Sequence, residues 1–172
     1  MKISAAEMAK FQNALPFWMS LWLIPLAWIG AIYGGWAVLL LPLMTWYLFS
    51  ALDAALGLNL NNGDLEATDD DLYWYRLITM IWAPLQFITI FGLIAYVGAT
   101  THLGAWEKIG LFFGVGVISG TIGINYSHEL MHQKDKTERH MGDALLGMVL
   151  YSHYRSEHLL VHHRYVATPR DP

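Results

Sequence analysis

Cysteine is absent from all 172 residues. That excludes disulfides, thiolate metal sites and iron–sulfur clusters, and leaves imidazole and carboxylate as the side chains able to hold a transition metal. Charge is scarce too. Asp, Glu, Lys and Arg make up 14% of the chain, and the net charge is -4. The few basic residues are scattered without forming a stripe, so no nucleic-acid partner is expected. The first residues, with Lys2, Glu7 and Lys10, lack a small-residue cleavage site and read as a cytoplasmic lead-in, not a signal peptide.

Apolar residues are abundant instead, at 55% of the chain with 14% aromatic and a mean hydropathy of +0.36. This composition predicts an all-α, polytopic integral membrane bundle. A hydrocarbon core needs about 20 residues of helix. Four segments satisfy that: Leu15 to Tyr33, Trp36 to Leu56, Leu77 to Ala99 and Trp106 to Tyr126. Gly34-Gly35 permits only a tight hairpin between the first two. The one strongly polar loop, Asn59 to Asp71, carries Asn61-Asn62-Gly63 as a turn and Asp69-Asp70-Asp71 as a solvated acidic run. The chain reads as one membrane domain, with residues 1–126 holding the spans and 127–172 a cytoplasmic, interfacial helical segment. Nine of the ten Lys and Arg fall on one side of four alternating spans, with Lys108 opposite. The positive-inside rule makes that side cytoplasmic.

Seven of the eight histidines lie in the last 45 residues, most in two boxes: His128-Glu129-Leu130-Met131-His132 and Glu157-His158-Leu159-Leu160-Val161-His162-His163. Helical residues four apart differ by about 40° in azimuth and about 6 Å in height, so His128 and His132 can share an ion, as can His158 and His162. His163 points about 100° from His162 on a regular helix. Five ligands with divergent directions suggest two metals. Glu129 and Glu157, one before or inside each box, are placed to orient imidazoles or to bind metal themselves, and His153 is a further outer candidate. His102 and His140 read as interfacial. Gly116, Gly120 and Gly123 share a face of the fourth span, where they suit helix packing or an aliphatic tunnel ending near His128.

Two other readings stay open. His128 to His132 matches the His-Glu-x-x-His pattern of zinc metalloproteases, which would leave the second box unexplained. A non-enzymatic metal-binding or transport protein would want more polar residues within its spans.

Residues 125–135, Asn-Tyr-Ser-His-Glu-Leu-Met-His-Gln-Lys-Asp, together with Glu157-His158 and the run from His162 to Pro172, resemble the membrane alkane 1-monooxygenase family. That family lies within the integral-membrane di-iron fatty acid desaturase and hydroxylase group. Leu52-Asp53-Ala54 followed by Asn61-Asn62 resembles the family's second span and loop. Met131, Gln133 and Leu159-Leu160-Val161 depart from the family pattern without touching the ligands. Three residues between His158 and His162 favour a hydroxylase over a desaturase. The resemblance implies two iron ions with His128, His132, His158, His162 and His163 as ligands. It also implies terminal hydroxylation of medium or long n-alkanes with dioxygen, electrons from rubredoxin and rubredoxin reductase, and residence in the bacterial inner membrane. A family member has about twice this length and a third histidine box, so the chain is expected to be an N-terminal portion of the oxygenase domain.

Overall fold

The computed structural model describes residues 4–57, 67–68 and 70–171. Among these, every regular element is helical, as backbone burial in hydrocarbon demands when N–H and C=O groups have no water to bond. Four helices are long and apolar enough to cross a membrane: α1 (Ala5–Tyr33), α2 (Gly35–Ala55), α3 (Tyr73–Ala99) and α4 (Ala105–Met131). Two shorter ones follow, α5 (Lys136–Met148) and α6 (residues 154–165).

Helices α1 and α3 begin, and α4 ends, beyond the apolar runs that mark them in the sequence, while the ends at Tyr33 and Ala99 fall where expected. The α1 helix starts ten residues earlier than its expected span, where the Ser4 side chain accepts a hydrogen bond from the Glu7 N–H at 3.1 Å. The α4 helix runs on past Tyr126 through the first histidine box. Gly34 and Gly35 form the expected hairpin with φ of +63° and +54°, a region costly to residues with a side chain. The turn expected at Asn61-Asn62-Gly63 lies outside the described residues, as does Asp69. Asp71 is tied down, not merely solvated: it accepts bonds from the Thr68 N–H and hydroxyl and pairs with Lys10 at 2.9 Å. The Lys10 ammonium, then the two Thr68 donors, hold its carboxyl well below the usual range.

Leu23, Ala27, Ala31, Leu41, Ile78, Trp82, Leu93, Leu111 and Ile118 form the buried core between the four long helices. Gly114 brings α4 against α2, since an added Cβ would meet the Leu41 Cβ at 2.9 Å. Trp82 stacks edge-on to Tyr126, whose hydroxyl bonds Ser20 at 2.9 Å, tying α1, α3 and α4 together just before the first box.

The three glycines expected to share one groove divide. Gly123 faces α3, where an added Cβ would lie 2.4 Å from the Gln86 Oε1, so its role is helix packing. Gly116 and Gly120 look outward, and a Cβ on either would meet nothing within 4 Å. The π-helical turn Ser119–Gly123 rotates the face between them.

Candidate metal centre

The end of α4 and all of α6 are brought together by α5. Asp135 begins α5 by accepting from the Thr137 and Glu138 N–H groups at 2.7 and 3.2 Å, which also holds its carboxyl below the ordinary range. Arg139 closes the turn onto the Gln133 and Lys134 carbonyls. Gly142 then packs on α4 between the two first-box histidines: an added Cβ would sit 3.1 Å from the Ser127 carbonyl oxygen and 3.2 Å from the Leu130 Cβ. The Ser127 hydroxyl donates to the Gly142 carbonyl at 2.9 Å in this dry contact. Arg76 of α3 pairs with Glu138 at 2.5 Å and Arg155 of α6 with Asp143 at 2.5 Å, so α3 and α6 are each tied to α5 by an ion pair.

This scaffold gathers four imidazoles. The Nε2 atoms of His128, His132 and His163 lie 2.9, 3.2 and 3.0 Å from the Nε2 of His158. A neutral ring nitrogen carries either one hydrogen or one lone pair, so at most one of these contacts is a hydrogen bond. The other lone pairs would repel unless a cation stood among them. Imidazoles bound about 2.0–2.1 Å from one ion at angles of roughly 90° to 109° have nitrogens about 2.8–3.4 Å apart. The separations from His158 fall in that interval, and His128, His132 and His158 together fit a shared metal, whereas His163 joins the cluster through His158 alone. Ligand atoms of His128, His132 and His158 all lie within 4.8 Å of one another.

His158 is the centre of the cluster and is 9% exposed. Burial, then the neighbouring rings of His128, His163, His132 and His162, push its pKa down to about 4. His132 is lowered as well, by burial and then by His128 and His163. Both rings are therefore neutral at pH 7, the state that binds metal.

The second box departs from the regular-helix expectation. His158 meets His163, not His162, because residues His158–His162 form a π-helical turn whose extra residue brings position i+5 onto the face that i+4 would occupy. His162 stacks on His158 with ring centroids 5.2 Å apart, and its Nδ1 lies 2.9 Å from the Asp171 carboxylate. A carboxylate on Nδ1 leaves the Nε2 lone pair of His162 free to bind.

The outer candidates separate. Glu129 is exposed and sits 3.5 Å from the His128 Nδ1, on the far side of that ring from the cluster. Glu157 lines a pocket of about 400 Å³ with Tyr151, Tyr154, His158, His162 and Asp171. His153 is exposed and packs against Tyr151, away from the cluster. His140 is exposed near Asp143, and His102 lies near the opposite end of the bundle, 3.1 Å from the Ala31 carbonyl. Asp171 and Tyr154 escape the sequence reading. Asp171 has no periodic relation to His162, and Tyr154, one helical turn before His158, reads in the sequence only as part of an apolar face with Met141, Leu145 and Met148.

A fatty acid desaturase family model matches residues 104–172, which contain both boxes. Along nearly the whole chain the sequence is similar to alkane 1-monooxygenases. The Pseudomonas putida protein is 32% identical over 96% of this chain and 40% of its own length. The Ectopseudomonas oleovorans protein is 33% identical over 90% and 37%, and alkane 1-monooxygenase 1 of Alcanivorax borkumensis is 31% identical over 88% and 40%. The chain thus spans about two fifths of the length of these relatives. No solved structure matches it. Four apolar spans and two interlocked histidine boxes accompany this likeness: along nearly its whole length the chain is similar to alkane 1-monooxygenases, and residues 104–172 match the fatty acid desaturase family.

Proposed function

We propose that this chain supplies five of the histidine ligands of a di-iron centre that hydroxylates the terminal methyl of an n-alkane, with dioxygen as co-substrate and rubredoxin as electron donor. The observation that carries the reading is the convergence of three Nε2 atoms on that of His158 at 2.9–3.2 Å. His128, His132 and His158 would hold one iron, and His163, with His162 steadied by Asp171, is available to a second. Iron bound there would activate dioxygen toward an unactivated C–H bond. The protein's own part is orientation: α5 fixes the two boxes against each other, and burial keeps His158 neutral. The open face at Gly116 and Gly120 begins about 12 Å before His128 along α4, a distance set by helix rise. It offers an aliphatic chain dissolved in the bilayer a route along the helix. Further ligands would come from parts of the protein beyond these 172 residues. The boxes face the cytoplasm of a bacterial inner membrane, where a soluble electron donor has access.

The protease reading fares worse on geometry. A general-base glutamate must reach a water on the metal, yet Glu129 flanks His128 on its Nδ1 side, with the Nε2 atoms converging opposite. Iron and zinc content of the purified protein tests the choice. Bound iron that is lost in His158→Ala supports the oxygenase reading, and one zinc per chain with little iron would overturn it.

A further inference from the structure

Four rings stack in a column beside the metal centre. Tyr151 and Tyr154 lie 5.2 Å apart between centroids and 19° from parallel. Tyr154 and His158 lie 5.2 Å apart at 29°, and His158 and His162 5.2 Å apart at 19°. An aromatic stripe at this spacing ordinarily does no more than pack a helix. Two features set this one apart. It runs face to face through His158, the histidine at the middle of the cluster, and its tyrosines line the pocket open to solvent. Among the described residues neither tyrosine hydroxyl bonds another group, so the fold does not need them.

We propose that Tyr154 and Tyr151 form a relay that carries oxidising equivalents from the metal centre to the surface when no substrate is present; this rests on the metal-centre reading above. The direction follows from phenol chemistry. A phenol yields an electron to a strong oxidant but does not accept one from a mild soluble donor, so the column drains holes and does not deliver reducing electrons. In the first step one electron passes from Tyr154 to the oxidised centre. The phenolic O–H bond breaks, the proton goes to water in the pocket, and a neutral tyrosyl radical remains. Tyr151 then gives one electron to Tyr154, which recovers a proton, while Tyr151 releases its own to solvent. A soluble one-electron reductant, such as a thiol or ascorbate, restores Tyr151. A phenol with an ordinary pKa of about 10 is protonated at neutral pH, so electron loss and proton loss go together.

The test uses the full chain in lipid nanodiscs, loaded with ferrous iron and treated with hydrogen peroxide, which is reduced to water, in the absence of alkane. Freeze-quenched samples are read by electron paramagnetic resonance, with iron content and oxidation state measured on the same material. Wild type is expected to show a tyrosyl radical. Tyr154→Phe should lose most of it at unchanged iron content, and Tyr154→Trp should replace it with a tryptophanyl signal. Tyr151→Phe should leave a longer-lived radical on Tyr154. An undiminished tyrosyl signal in Tyr154→Phe, or none in wild type whose iron is bound and oxidised, overturns the relay alone. Failure to bind iron at all overturns the metal centre, and the relay with it.

Discussion

At the scale of single residues, His158 carries more of the site than its position in a seven-residue box suggests. Its Nε2 is the common neighbour of three other ring nitrogens, whereas His162 touches the cluster only through its ring face. Replacing His158 with Ala should therefore lower bound iron more than replacing His162, as measured by elemental analysis after matched loading. Equal losses would show that the rings do not share a centre. The depressed pKa of His158 has a further consequence in the metal-free protein. The unfolded chain takes up the proton near pH 6.5 and the folded site only near pH 4. Above about 6.5 neither state is charged, and the full stability is present. As the pH falls from 6.5 toward 4 the unfolded state alone gains the proton, so stability declines across that window. Melting temperatures of chelator-treated protein should fall there, and less steeply in His158→Gln.

At the scale of elements, α5 is the clamp. Gly142 lets it approach the α4 backbone between His128 and His132 closely enough that no branched side chain fits. Gly142→Val should destabilise the protein by about 1–3 kcal/mol through overpacking and lower iron content with it, read by thermal unfolding and metal analysis. The π-helical turn in α6 makes a sharper prediction. Removing the exposed Leu160 would take the extra residue out of the turn and return the present His163 to the i+4 position of an ordinary helix. Iron binding should survive that deletion. Deleting Glu129, equally exposed but within the regular helix of the first box, should abolish it.

The same contrast shows how far the sequence reaches. Four apolar runs separated by Gly34-Gly35 and polar loops were enough to mark the spans, because hydrocarbon burial leaves the backbone little choice but helix. Helical spacing brought His128 and His132 together correctly, since α4 stays regular there. It failed at the second box, and at Gly123 against Gly116 and Gly120, for one reason: π turns at His158–His162 and Ser119–Gly123 each rotate the helix face. Nothing in the residue pattern marks where those turns fall. The bond from Asp171 to His162 depends on how the chain after α6 folds back, which periodicity does not describe.

At the scale of the whole molecule, the account requires both boxes on one side of the membrane and the α1–α2 and α3–α4 turns on the other. Because cysteine is absent, single-cysteine labelling needs no background removal. Ser156→Cys and Thr101→Cys lie on exposed residues near opposite ends of the bundle. A membrane-impermeant maleimide should label Thr101→Cys in intact spheroplasts and Ser156→Cys only after permeabilisation. The reverse pattern would remove the cytoplasmic electron donor from the proposal.

Iron K-edge X-ray absorption on the iron-loaded full chain bears most directly on the shared-metal claim. The account predicts a first shell dominated by nitrogen, with the outer-ring scattering of several imidazoles, diminished in His158→Ala. A shell of water and carboxylate oxygens that His158→Ala leaves unchanged would contradict it.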